Sequence, residues 1–335
     1  MKNFSNNIIK SVKIKGTGSY VPERIVTNHE LAEKLTTTDD WIFNNLGIRE
    51  RRIAADNEFT SNLAFRAAEK AIKNALLKAK DIDLIIVATA TPDRLAPSTA
   101  CIVQEKLGAV NAAAFDVNAV CSGFLYAFAI GSQFIAAGMY QNVLIIGADT
   151  FSKITNWEDR SCVFFGDGAG AAVLSNTETG KGLLAIDLYA DGTGKHNFTI
   201  PAGGSEMPAS FETVAKGLHN FEMNGKAVYE TATKVLPHAI NNVLERCALN
   251  VNDITFLIPH QPSIRILKKT AELLDLPFEK VKTNMERYAN TSGGTIPILL
   301  DEVNRSGLLK DGDVLVFAAV GSGWTWGAAA MKWVI

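Results

Sequence analysis

The chain has 335 residues, 47% of them hydrophobic and 20% charged, enough for one large globular domain or two fused ones with an ample core. Its formal net charge is −2 and no long run of one sign occurs, so neither nucleic acid nor an anionic membrane is suggested as a partner. Four widely spaced cysteines (Cys101, Cys121, Cys162, Cys247), with no CxxC and no histidine cluster, argue against a zinc site and against a disulfide framework.

From the N-terminus, MKNFSNNIIKSVKIKGTGSY lacks the apolar core of a signal peptide. Later apolar runs are broken by Gly, Asp or Asn short of a membrane span, so a cytoplasmic protein is expected. GTGSY (16–20) reads as a turn. Residues 61–93 read as an amphipathic helix, a short loop and a buried strand, with Ala64, Ala68, Ala71, Ala75 and Leu76 on one helical face. In FDVNAVCSGFLYAF (115–128), Cys121 stands where an apolar strand passes into a helix. An isolated buried cysteine is ordinarily a small hydrophobe. At this turn, however, backbone N–H groups and the positive end of the helix dipole favour a thiolate, and a lowered pKa is expected. The contexts of Cys101, Cys162 and Cys247 lack that feature. A thiolate in apolar surroundings is a nucleophile for acyl groups. GDGAGA (166–171) lacks the last glycine of a dinucleotide-binding loop and reads as a tight turn before a strand.

The second half repeats the first. Residues 231–263 again give helix, loop and strand, with DIDLII answered by DITFLI 172 residues on. QNVLIIGAD (141–149) is answered by GDVLVFAAV (312–320) at about the same offset. Two similar halves follow, 1–178 and 179–335. Their strands are continuous Val, Ile and Leu alternating with helices, which implies α/β sheets covered on both faces and a five-layer αβαβα sandwich. The same offset carries Cys121 onto the neighbourhood of Asn290–Ser292, and His260 ends the strand TFLIPH. His29, His196, His219 and His238 lie in loop-like or mixed-polarity helical contexts suited to surface or capping roles. A Cys with neutral His and Asn donors suits chemistry in which negative charge develops on a thioester oxygen.

Seven motifs in order, GTGSYVPERIVTN, DDWIFNNLGIRERR, FDVNAVCSGF, DRSCVFFGDGAGAAVL, PHQPSIRI, NTSGGTIP and GSGWTWGAA, cover nearly the whole chain. With them the chain resembles β-ketoacyl-acyl-carrier-protein synthase III, a condensing enzyme of the thiolase superfamily. The resemblance implies a thiolase-like fold, a homodimer, and a ping-pong Claisen condensation on acyl-CoA and acyl-carrier-protein thioesters with no metal or redox cofactor. It gives Cys121 the acyl group, and His260 and Asn290 the thioester oxygen of the malonyl unit. The backbone N–H groups of Cys121 and Ser322 become the oxyanion hole. Trp41 and Arg160 match residues that hold the CoA adenine, and Arg265, followed by Lys268 and Lys269, matches the contact to the acyl carrier protein.

Several positions depart from the family pattern. Asn45 stands where an arginine is usual, Ser263 where Asn is usual, Ala289 where Gly is usual, and Ser322 replaces the middle glycine of its loop. In TPDRLAPSTAC, Ala96 stands where short-chain members place a phenylalanine that closes the partner's acyl pocket, so acyl groups longer than acetyl are expected. Leu95, Phe124 and Phe128 are the large apolar residues that could refill the gap. The alternative reading is a secondary-metabolism ketosynthase or acyltransferase of the same family. A catalytically silent subunit is disfavoured, because Cys121, His260 and Asn290 are all present.

Overall fold

The computed structural model describes residues 11–335, so the signal-peptide reading at residues 1–10 lies outside the described residues. In the first half, β1 (Ser11–Tyr20) is followed by β2 (Arg24–Thr27), α1 (Asn28–Ala32), α2 (Asp39–Leu46) and β3 (Glu50–Ile53). Then come α3 (Thr60–Asn74), β4 (Leu84–Ala88), α4 (Thr99–Leu107), β5 (Ala113–Val117), α5 (Gly123–Ala136), β6 (Asn142–Asp149) and β7 (Gly168–Thr177). The second half runs β8 (Gly182–Ala190), β9 (Phe198–Thr199), α6 (Phe211–Ala215), β10 (Glu222–Met223), α7 (Gly225–Arg246) and β11 (Phe256–Pro259). It ends with α8 (Ile264–Leu273), α9 (Met285–Tyr288), α10 (Thr295–Arg305), β12 (Val314–Gly321) and β13 (Thr325–Lys332).

Besides the two-stranded pairs β2-β3 and β9-β10, there are two large sheets, one of order β1-β7-β6-β4-β5 and the other β8-β13-β12-β11. The first takes its strands from residues 11–177 and the second from 182–332. Strand for strand the two orders correspond, and where β5 would have its counterpart Val281 makes a single parallel bridge to Leu257. Helices α3 and α4 cover the outer face of the first sheet, and α7 and α8 that of the second. Between the sheets lie α5 and α10, which pack on both and bury Phe124, Phe128, Ile296, Leu299 and Leu300. The result is the five-layer sandwich of a thiolase-like α/β fold. No helix among the described residues is long and apolar enough to cross a membrane.

Two local readings are corrected. Residues 16–20 are not a turn but the second half of β1. Gly16 and Gly18 are there because α3 presses on the strand: a Cβ on either would collide with main-chain atoms of residues 67–75. Leu76 does not share the buried face of α3. That helix ends at Asn74, and Leu76 turns out with φ +58° and 92% exposure, whereas Ala64, Ala68, Ala71 and Ala75 are buried. A lone exposed leucine after a helix end needs no further cause.

The halves meet along a seam. Gly147 of β6 lies so close to Gly293 that a Cβ on it would overlap the Gly293 carbonyl. On either side of the seam, Val120 (φ +48°) and Ser292 (φ +51°) make matching left-handed turns into α5 and α10. Positive φ is costly for a β-branched residue such as Val120, so surrounding packing imposes this turn.

Candidate active site

The nucleophile candidate sits on the 3₁₀ turn Val120–Ser122 that opens α5. Gly123 at the helix start lies against Ala88 of β4, where a Cβ would come within 3.0 Å of the Ala88 Cβ. The turn is pinned to the other half. The Ser122 hydroxyl donates to the Ala119 carbonyl at 2.8 Å and accepts from the Thr325 hydroxyl at 2.7 Å. Cys121 is buried, and its thiol donates to Ser292 Oγ at 3.6 Å.

Strand β11 delivers His260, whose own N–H donates to Ala318 O of β12 at 2.9 Å. Asn290 is fixed by two main-chain bonds, its N–H to Phe164 O at 3.0 Å and its carbonyl from Gly166 N at 3.1 Å. Ala289 before it takes φ +56°, the conformation that makes glycine usual there. The Asn290 carboxamide oxygen accepts from Ser292 N at 2.8 Å and pairs with His260 Nε2 at 3.0 Å. A carboxamide oxygen only accepts, so Nε2 carries the hydrogen, leaving the buried Nδ1 as an acceptor with no partner among the described residues. The sequence reading thus joined three side chains that the topology does bring together.

Burial controls the charge of the site. It pushes the Cys121 thiol up to about 12, with the nearby Asp149 carboxylate adding to the rise and hydrogen bonds from Ser292 and Asn290 opposing it. The expected lowering is therefore overturned. A helix N-terminus is worth at most about 2 kcal/mol, whereas a rise from 9.0 to about 12 corresponds to about 4 kcal/mol. Burial also raises Cys162, to about 11, and Cys247. His260 is pulled down to about 4 by burial, against the Asn290 hydrogen bond, so the imidazole is neutral at physiological pH.

These three side chains open onto a cavity of about 410 Å³. Its walls are largely apolar, with Phe164, Phe165, Phe198, Met223 and Trp324 among them. Among the described residues its charged wall residues are Lys226 and Arg265, and no acid lines it. Gly321 and Ser322 form another side: a Cβ on Gly321 would come within 2.7 Å of Ala119 O and 3.0 Å of Ser122 N. The Ser322 hydroxyl is occupied by Phe198 O at 2.5 Å, so what Ser322 can offer the cavity is its main chain.

At the mouth, Thr38 caps α2 and so fixes Trp41. The Arg160 guanidinium lies 3.6 Å above the Trp41 ring. Asn45 donates to Trp41 O at 2.8 Å and accepts from Arg265 at 3.3 Å. Arg265 and Lys268 are exposed on α8, while Lys269 is half-buried and pairs with Glu272 at 2.6 Å. Ser263 caps that helix by accepting from Ile266 N, a task that asparagine performs as well. Ala96 is not brought to the cavity. It is exposed on the loop before α4, so any role in an acyl pocket requires a second copy of the chain. Leu95 is likewise exposed, and Phe124 and Phe128 are locked between the sheets, so none of the three refills the cavity.

Sequence reasoning missed Asp149, and it reached Ser292 only as a neighbour of Asn290, with no role of its own. Asp149 ends β6 and is fully buried. Its Oδ1 accepts from Thr89 Oγ1, Ala90 N, Thr91 N and Thr91 Oγ1 at 2.8–3.1 Å, and its Oδ2 from Gly293 N at 3.0 Å. An acid closing an otherwise apolar strand was the available signal.

Known proteins resemble the chain throughout. The family model for 3-oxoacyl-[acyl-carrier-protein] synthase III matches residues 115–192, and that for the C-terminal part of the same family matches residues 244–333. A β-ketoacyl-[acyl-carrier-protein] synthase III from Caldanaerobacter subterraneus subsp. tengcongensis is 53% identical over 321 residues, 96% of this chain and 97% of that protein. The crystal structure of the 3-oxoacyl-[acyl-carrier-protein] synthase III from Aquifex aeolicus superimposes with a TM-score of 0.89 at 40% identity, covering 96% of this chain and 100% of that one. The priming β-ketosynthase of the R1128 polyketide biosynthetic pathway gives a TM-score of 0.90 at 29% identity, over 97% and 96% of the two chains.

With a thiol near 12 and an imidazole near 4, no thiolate–imidazolium pair is pre-formed at neutral pH. Iodoacetamide at pH 7.5 should label the exposed Cys101 well before Cys121, and Cys121 labelling should still be climbing above pH 9, as read by peptide mass spectrometry. Preferential labelling of Cys121 with a plateau below pH 8 would contradict this electrostatic account.

Proposed function

The chain belongs to the β-ketoacyl-[acyl-carrier-protein] synthase III family of acyl-transferring condensing enzymes, and on that premise we propose that it joins an acyl thioester to malonyl-acyl-carrier-protein, with loss of CO2, to start an acyl chain. The observation that carries this reading is the convergence of Cys121, His260 and Asn290 on one largely apolar cavity. Cys121 attacks the acyl thioester and keeps the acyl group as a new thioester. The tetrahedral oxyanion is held by the backbone N–H groups of Cys121 and Ser322. The malonyl thioester then enters, and His260 and Asn290 donate to its carbonyl oxygen as CO2 leaves and the enolate forms. A neutral imidazole is suited to this, because its Nε2–H can be shared with the developing oxyanion without giving up a full charge. The enolate carbon attacks acyl-Cys121, and the thiolate leaves. No metal or redox cofactor is needed for these steps.

Lys226 and Arg265, with no acid in the walls among the described residues, suit an anionic carrier of the thioester. In this reading Trp41 and Arg160 part to hold the adenine of CoA between them, and Arg265 with Lys268 and Lys269 receives the acidic carrier protein. The work is assigned to the cytoplasm and to a homodimer of chains, each with halves 1–178 and 179–335. Support for the dimer comes from β5, an unpaired sheet edge of largely half-buried residues. Its Asp116 accepts from the N–H groups of Thr99 and Ala100, so the loop carrying Ala96 is tied to that edge. A second copy on β5 would meet Ala96, and with it we assign acyl groups longer than acetyl. A second reading, a secondary-metabolism ketosynthase or acyltransferase, is favoured by Asn45, which leaves the mouth without the usual arginine.

The half-reactions separate the assigned roles. His260→Ala and Asn290→Ala should each slow CO2 release from malonyl-carrier protein by about 10²-fold or more, with a much smaller loss in single-turnover acylation of Cys121. Collapse of acylation with surviving CO2 release would reverse the assignment.

Chain length is read with a series of acyl donors. Each further buried methylene is worth up to about 0.8 kcal/mol. The wild type should therefore prefer donors longer than acetyl, and Ala96→Phe should shift the optimum towards acetyl. A wild-type preference for acetyl, or a profile unchanged by Ala96→Phe, would contradict the role given to Ala96.

A further inference from the structure

Arg51 of β3 is wholly buried, and its guanidinium donates to three neutral oxygens: Val26 O at 3.2 Å, Asn28 Oδ1 at 2.9 Å and Val163 O at 3.1 Å. Its Nε has no partner among the described residues. Burial pulls its pKa down to about 10, so the group keeps its charge at neutral pH. A charge held in the interior by neutral acceptors is costly, and a buried methionine would fill the space without that cost. What the guanidinium supplies and an apolar side chain does not is a planar fork with donors in fixed directions. Asn28, also wholly buried, extends the line. Its Nδ2 donates to Asp39 Oδ1 at 2.8 Å and to Ile48 O at 2.6 Å, so one amide holds both ends of α2, the helix that brings Trp41, Asn45 and Leu46 to the cavity. On the other side, Val163 belongs to the short turn Arg160–Phe164. That turn sets Arg160 3.6 Å above the Trp41 ring and puts Phe164 in the cavity wall. Arg51 and Asn28 thus link the two elements that face each other at the mouth, and neither residue lines the cavity.

We propose that Arg51 and Asn28 are positioning residues for the donor: they set the spacing between the Trp41 ring and the Arg160 guanidinium, and with it the preference for thioesters that carry a nucleotide. The inference rests on the reading that Trp41 and Arg160 part to hold the adenine of CoA. A flat base enters between them only if α2 and the 160–164 turn stand the right distance apart. Trp41 and Arg160 are both exposed, so packing around their own side chains does little to fix that distance. It is set from beneath, where α2 and the turn hang on one amide and one guanidinium. Arg51 is suited to this because a single rigid fork reaches Asn28 and Val163 at once from the same Nη2, and a change at either end is passed to the other. Neither residue touches substrate. Both act through Trp41 and Arg160.

The test presents one acyl group on two donors, CoA and pantetheine, which share the thioester arm and differ in the nucleotide. Acylation of Cys121 is followed in wild type, Arg51→Lys and Asp39→Ala, and the quantity read is the ratio of kcat/KM for the CoA donor to that for the pantetheine donor. Lysine keeps the charge but has no fork to span Asn28 and Val163. Asp39→Ala cuts α2 from Asn28 and leaves the buried Arg51–Asn28 pair in place, so it keeps the test decisive where Arg51→Lys folds poorly. A mere loss of folded enzyme lowers both numbers alike and leaves the ratio where it was. The proposal predicts a wild-type ratio well above one that falls about 10-fold in both variants, the scale of one cation–π contact, with the fall lying in KM for the CoA donor. A ratio unchanged in either variant would overturn it, and so would a fall carried by kcat alone. A wild-type ratio near one, seen before any variant is made, would instead defeat the reading that Trp41 and Arg160 hold an adenine, and the proposal would fall with it.

Discussion

The contact between Gly147 and Gly293 is the constraint on which the site depends. A strand of the first sheet and a turn of the second half lie so close there that no side chain fits between them. One residue pair further along, Gly293 N–H is held by Asp149, and the neighbouring Ser292 accepts the thiol hydrogen of Cys121. Pressed together in this way, the two halves set Cys121 from one against Asn290 and Ser292 from the other. Three chain segments that are 139 and 30 residues apart along the sequence, at 121, 260 and 290, become a single wall of one cavity.

That seam also fixes the electrostatics. Because the site lies between two covered sheets, burial is the first cause of the high thiol and the low imidazole alike. A neutral Cys–His–Asn set suits reactions in which charge appears on the substrate and then disappears, since donors already in place need little rearrangement when it forms. The cost is that Cys121 must lose its proton during attack rather than before it. Linkage gives the same burial a consequence for stability. The folded-state pKa of His260 lies below its unfolded value of 6.5, so stability is fully present above that value and is lost as pH falls through about 4.

Much of this was legible from residue order. The repeat of DIDLII in DITFLI, 172 residues on, marked two equivalent strands, and the same offset led from Cys121 to Asn290–Ser292. A cysteine at a strand-to-helix turn and a histidine closing an apolar strand are local patterns that survive folding, and both held. The thiol's proton affinity was not legible, because it depends on how completely the second half covers the turn. Gly16 and Gly18 misled for a related reason: glycine marks close approach as well as turning, and only the packing of α3 on β1 distinguishes them. Asp149 escaped notice because its importance lies in what it touches, donors from residues 89–91 and 293 that no sequence window contains together.

The central claim is that Cys121 carries the acyl group between two half-reactions. Its most direct test is intact-protein mass spectrometry after exposure to a panel of acyl-CoAs, followed by a chase with malonyl-carrier protein. One acyl group should be added per chain, none should be added to Cys121→Ala, and the chase should discharge it as CO2 and a β-ketoacyl product appear. An adduct that forms equally on Cys121→Ala, or that malonyl-carrier protein fails to discharge, would contradict the account.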